Sequence, residues 1–462
     1  MKVETLWSLR LGYSRKQSAN IKALGLEEFL RHSFVAKFDS VEPDFLNNEP
    51  KSIEELQAFR AKIQTMSPEE SKILAKQRRR TFISLKSWWI DKMQNEPYPL
   101  REKMTCFWQN HFVATAQKVK VNHWLYQLNM LLRENAFGNF RDITKKVIRS
   151  NAMVRYLDNV DNRKGQINEN LSRELLELFT LGIDNYNEAD VRNGAKALAG
   201  LGIGEKEAQY RRPFEINERL TYLGRTGHFK ADDIIDIIFE QEAIPYLITR
   251  KILQWFIYDN PKEDLVRYYG DYFRHVDFEV MPLLTKIFTE EYGKDNAASK
   301  IKDPLVFILQ LLDELGVSDL DTVVIAFFLQ QQGMDLFNQP NVKGWVGGNA
   351  WLTSQIYLQR QNISDLLCSG RSTSRKTFED TTGQAPLTFK QIDLNFAWNA
   401  DLTSAQIIDH LYSRLITVED DQLRQGMENI LKYDFDPKSP NADQVVLRLF
   451  NYMTKAPEYQ LI

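Results

Sequence analysis

The sequence predicts an all-α fold, a large single-core protein of many helices joined by long loops. Three observations carry this. Apolar residues recur at three- and four-residue spacing along most of the chain, as in 21–30, 104–112 and 171–179. No stretch of six or more residues alternates strictly between apolar and polar, so at most a minor hairpin is expected. Residues that stop and start helices punctuate the periodic runs, among them Gly12, Gly25, Gly182 and Asn187.

Taken in order, 6–13 reads as a short helix ending at Gly12, and 18–34 as a helix that Gly25 interrupts. A connector rich in Pro and Asn follows over 38–50. The long charged runs 53–63 and 68–95 have the pattern of peripheral helices. Helices follow over 100–115, 124–137 and 140–150, while 214–227 is broken and 243–256 is strongly apolar and central. Residues 1–368 are expected to form the main helical domain, 369–400 a polar linker or insertion, and 401–462 a set of helices packing on the main body. No internal repeat is evident.

Composition bounds the function. In 462 residues, 43% are hydrophobic and 26% charged, the balance of a globular protein with a sizeable aromatic core. A net charge of −3 supplies no field for nucleic acid or an anionic membrane, and neither is expected as a partner. The one compact basic run, Arg78-Arg79-Arg80, reads as a solvated helix end. No stretch reaches the length of a membrane span, and the first residues lack the apolar run of a signal peptide, so a soluble chain is expected. Cys106 and Cys368 imply no disulfide framework, the scattered histidines have no zinc spacing, and no cofactor is indicated. The run Asp158-Asn159-Val160-Asp161-Asn162 invites a cation loop, but Val160 breaks the alternation of oxygen ligands, and a turn-rich loop accounts for it better.

Candidate site residues come from three places. On a helix over 168–182, Leu171, Leu175 and Leu178 share a stripe that Leu176 and Phe179 widen, with Asn170, Glu174 and Glu177 along its flank. A carboxylate at such a border must be paired, hydrogen-bonded or working. Glu169, Arg173 and Glu177 stand at i, i+4 and i+8, so a purely structural ion ladder is the competing account. His111 lies on the apolar stripe of Met104, Phe107 and Trp108, either as a core histidine donating to a backbone carbonyl or as a neutral imidazole at a pocket floor. Glu102 faces away from it. Over 338–351 a glycine-rich loop carries Lys343, Trp345 and Trp351, either a lid pinned by its tryptophans or a ligand wall.

Together these motifs resemble one family, the bacterial domain of unknown function number eighteen hundred. The likeness rests on Pro99-Leu100-Arg101-Glu102, Phe107-Trp108-Gln109-Asn110-His111-Phe112, Asn168-Glu169-Asn170, the run from Arg173 through Gly182, Leu223-Gly224-Arg225-Thr226-Gly227, Pro340-Asn341-Val342-Lys343-Gly344-Trp345 and Ala456-Pro457-Glu458-Tyr459-Gln460. Three positions depart from the pattern: Gln109 stands where a second histidine is frequent, Leu201 where tryptophan is common, and Val306 where glutamate is usual. The resemblance implies a helical fold, frequent export, and a phosphatase- or sulfatase-like partner protein. It implies no reaction.

Two functions are therefore expected to compete. One is a binding or assembly protein built round a buried polar network. The other is a hydrolase or lyase on a polar polymer such as a glycan, with Glu174, Glu177 and His111 as acid and base and with Asn168, Asn170, Arg173, Lys343, Trp345 and Trp351 holding substrate. A metal role stays open.

Overall fold

Helix ends fall where the sequence supplies caps. Gly12 closes the Val3–Leu11 helix, and Gly25, at φ +77°, separates Ser18–Leu24 from Leu26–Val35. Ser52 with Glu55 and Ser67 with Glu70 form reciprocal capping boxes that open the Ile53–Thr65 and Pro68–Asn95 helices. Asn187 and Asp190 do the same for Glu188–Ala197, as their spacing predicts. The computed structural model describes residues 1–374, 388–432 and 435–462. Among these, the sheets are three two-stranded antiparallel pairs: Leu201–Gly202 with Gln209–Tyr210, Leu220–Tyr222 with Arg225–Gly227, and Arg371–Thr373 with Phe389–Gln391. The broken stretch at 214–227 is thus partly a hairpin.

A single apolar cluster extends from Leu6 to Ile462. Trp7, Trp89 and Trp108 have no exposed surface, and Trp108 stacks between Phe112 and Phe140 at 5.8 and 5.7 Å. The chain's end is tied into the body. Ala442–Thr454 packs on Ser354–Cys368, and Lys300 and Ile462 exchange backbone hydrogen bonds of 3.1 and 2.8 Å. Residues 375–387, inside the stretch expected to be a polar linker, lie outside the described residues.

Glu102 does face away from His111, and it is buried. Arg133 meets it with Nε–Oε1 and Nη2–Oε2 bonds of 2.7 and 2.8 Å, and Trp89 Nε1 donates to Oε2 at 2.9 Å. This two-pronged pair ties three helices, Pro68–Asn95, Leu100–His111 and Asn122–Glu134, at the centre of the fold.

The segment at 168–182 differs from a single α-helix. Asn170–Glu174 is α-helical, but Leu175–Thr180 widens into a π-helical turn, with Leu181 N donating to Leu176 O at 2.9 Å. The wider turn rotates the side chains that follow. Leu175, Leu176 and Phe179 are fully buried, whereas Leu178, expected on the buried stripe, is only half-buried.

Candidate functional site

The π-helical turn and the helix end that follows it leave carbonyls free, and two side chains from elsewhere take them. Gly182 N, which a regular α-helix would give to Leu178 O, donates instead to Leu176 O at 3.1 Å. Lys251 Nζ, from the Ile244–Phe256 helix, donates to Leu178 O at 2.9 Å, and His111 Nε2 donates to Phe179 O at 3.0 Å. Lys251 Nζ also donates to His111 Nδ1 at 3.1 Å. With one ring nitrogen donating and the other accepting, the imidazole is neutral. Burial first, then the nearby Lys251 charge, holds the His111 pKa well below its usual range, with the Phe179 carbonyl opposing. Burial alone brings Lys251 down to about 8.

The His111 shift has a consequence for stability. The unfolded chain protonates this histidine near pH 6.5, while the folded chain does not. As pH falls below about 6.5 the unfolded state therefore gains a proton that the folded state lacks, and stability drops by about 1.4 kcal/mol per unit until the folded pKa is reached. His111→Asn should flatten this part of the stability curve, followed by urea unfolding at a series of pH values. Identical slopes in the variant and the parent protein would contradict the neutral imidazole.

Lys251 and His111 form one end of a cavity of about 740 Å³. Phe107, Trp255, Trp345 and Trp351 supply aromatic wall, and Lys251, Lys300 and Lys343 supply charge that Asp259 and Asp303 only partly offset. Both acids already have structural bonds. Asp303 caps the Pro304–Glu314 helix through Val306 N at 2.9 Å, and Asp259 Oδ2 accepts from Ile301 N at 2.9 Å. The glycine-rich loop closes the far side. Asn110 Oδ1 accepts from Trp345 N at 2.7 Å, and a side chain at Gly344, which has φ +82°, would run into that carboxamide. Trp345 and Trp351 meet at 6.5 Å, and among the described residues the buried Trp345 Nε1 has no acceptor.

Of the residues expected at the site, His111, Lys343, Trp345 and Trp351 line this cavity together. Glu174 is half-buried and its pKa is raised, first by burial and then by Glu177, with Arg173 and Lys343 acting against both. It therefore lies within electrostatic reach of the loop without belonging to that cavity wall. Glu177 accepts from Tyr186 Oη at 3.0 Å. Arg173 turns outward to Glu188, with two bonds of 2.8 Å, and to Glu169 at 3.1 Å, so the ladder runs to Glu188 and not to Glu177. Asn168 Oδ1 accepts from Asn170 N at 3.0 Å and starts the helix, and Asn170 is exposed.

Sequence reasoning missed Lys251, Lys300, Trp255, Asp259 and Asn110. A signal existed for two of them: Lys251 is a cation in a strongly apolar helix, one turn before Trp255. Of the departures from the family pattern, Gln109 and Val306 are fully buried away from the cavity wall. Among the described residues, no three His, Cys, Asp or Glu side chains are grouped to hold a metal ion, and no helix is long and apolar enough to cross a membrane.

Fold and site define the class: a mostly helical protein with a tryptophan-walled cavity lined by lysines. The chain belongs to the family described as "Protein of unknown function (DUF1800)", whose family model matches residues 5–461. No curated protein and no solved structure matches it.

Proposed function

We propose that the chain is a binding protein whose cavity takes a polar, ring-bearing ligand with negative charge, an acidic glycan being the class that fits. The observation that carries this is the joint presence of three indole rings and three ammonium groups around about 740 Å³. Indole faces stack on the apolar faces of sugar rings, and ammonium groups select carboxylated or sulfated sugars from neutral ones. Tryptophan fluorescence titrated with oligogalacturonate and with a neutral cello-oligosaccharide tests it. The acidic sugar should bind at least about tenfold more tightly, and Lys343→Gln and Trp351→Ala should each weaken it. Binding should also fall as pH rises through about 8, where Lys251 loses its charge. Equal affinity for both sugars, or none, would reject the proposal.

One observation favours a second reading, hydrolysis or elimination on such a glycan. Burial and Glu177 raise the Glu174 pKa toward the proton-holding state that a general acid needs, and the other carboxylate, Glu177, or else His111 would then serve as base. On this reading Glu174→Gln abolishes shortening of the glycan while sparing thermal stability. A glycan whose chain length the parent protein leaves unchanged would dismiss it. The family resemblance adds the proposal of an exported bacterial protein working beside a phosphatase- or sulfatase-like partner, open to test by affinity capture.

A further inference from the structure

We infer that a second, smaller cavity is an oxyanion site, in which three arginines hold a phosphate or sulfate group. It measures about 330 Å³ and lies where the Ile53–Thr65 helix meets the 157–166 loop and the turn at Gly200. Arg60 comes from that helix, Arg155 from the Asn151–Tyr156 helix, and Arg211 follows the Gln209–Tyr210 strand. Asp161, which is exposed, is the acid on the cavity wall and can neutralise one of the three.

Two of the three arginines are not occupied elsewhere. Among the described residues, the Arg60 and Arg155 guanidinium groups have neither an ion pair nor a hydrogen-bond acceptor. That of Arg211 has one bond, to Ile203 O at 3.3 Å. Arg155 is half-buried, so water supplies only part of its solvation, while Arg60 and Arg211 reach the cavity from exposed positions. Three cations gathered at one cavity against a single carboxylate repel one another, and a bound anion relieves that cost.

The loop beside them is the one whose oxygens suggest a cation site in the sequence, and the structure spends the oxygens of Asp158, Asn159 and Asn162 on holding the loop, with Asn159 Oδ1 accepting from Asn162 Nδ2 at 3.0 Å. Asp158 pairs with Lys118 at 2.8 Å. Asn159 Nδ2 donates to the carbonyls of Leu198 and Leu201 at 3.1 and 2.7 Å. Asn162 Nδ2 donates to Ala195 O at 2.8 Å, and its Oδ1 accepts from Asn168 N at 3.1 Å. What lines the cavity is a braced loop, three arginines and the single carboxylate of Asp161, so the charge at the wall is net positive and the sign of the preferred ion is negative. A carboxylate has two oxygens, which one guanidinium fork satisfies. A tetrahedral oxyanion offers three or four and can engage forks arriving from three elements.

Isothermal calorimetry at constant ionic strength, with inorganic phosphate, sulfate and acetate as probes, tests the inference. Phosphate and sulfate should bind, with acetate at least about tenfold weaker. Arg60→Gln and Arg211→Gln should each weaken phosphate binding about tenfold without moving the unliganded melting temperature, because both side chains are exposed and their one bond is the long contact of Arg211 with Ile203 O. Glucose 6-phosphate serves as the second arm: tighter binding than free phosphate assigns the site to a phosphorylated sugar, and weaker binding assigns it to the free ion, both supporting the inference. Absence of binding by phosphate and sulfate overturns it. So does binding that both arginine variants retain at full strength, since that anion would then sit among the lysines of the larger cavity.

Discussion

Arg133→Met should cost the fold about 3–5 kcal/mol, seen as a large fall in the urea midpoint, because it strands the Glu102 carboxylate in the core. Both partners are 1% exposed, so water cannot replace the lost bonds, and Trp89 Nε1 remains as the carboxylate's single strong donor. Glu102→Leu alone should be similarly damaging, since it leaves the guanidinium with the Met130 sulfur, the Trp88 face and no carboxylate. The double variant should recover most of the loss, because an apolar pair of similar volume carries no desolvation penalty. Additive losses in the double variant would mean that the two groups stabilise the fold independently and that the pair is not the unit that matters.

Leu175→Ala is expected to destabilise by about 2–5 kcal/mol, while Leu178→Ala costs clearly less. The contrast tests the π-helical turn. In an unbroken α-helix both leucines would share the buried stripe and both deletions would leave cavities. With the turn widened, Leu175 has no exposed surface and Leu178 is half-buried, so its truncation removes fewer contacts and leaves a gap that solvent reaches. Equal losses at the two positions, measured by denaturant unfolding, would restore the regular helix and with it a different origin for the free carbonyls at Leu178 and Phe179.

Much of the site was legible as parts. His111 was recognisable because a histidine on an apolar stripe needs a partner, and Lys343, Trp345 and Trp351 because glycines let a loop approach the body closely. Glu174 was legible as a carboxylate at a buried border, and its raised pKa follows from that placement. Arg173 and Glu177 misled, since i, i+4 spacing permits an ion pair without requiring one. Glu188 competes for Arg173 from the next helix, and the Tyr186 hydroxyl takes Glu177.

The sequence by itself determined most of the helices and some of their ends, Pro68–Asn95 among them, because periodicity and capping act between residues only a few positions apart, while other ends moved, as where Leu100–His111 stops short of 115. Only the tertiary structure decided the π-helical turn and the cavity. The bonds that meet the free carbonyls of the wider turn come from His111 and Lys251, 68 and 73 residues away along the chain, and α- and π-helical turns use the same residue types. The cavity likewise combines Phe107 to His111, Lys251 to Asn260, Ala298 to Asp303 and Lys343 to Trp351. No local pattern states that these segments meet, since their proximity follows from how the apolar faces of many helices share one core.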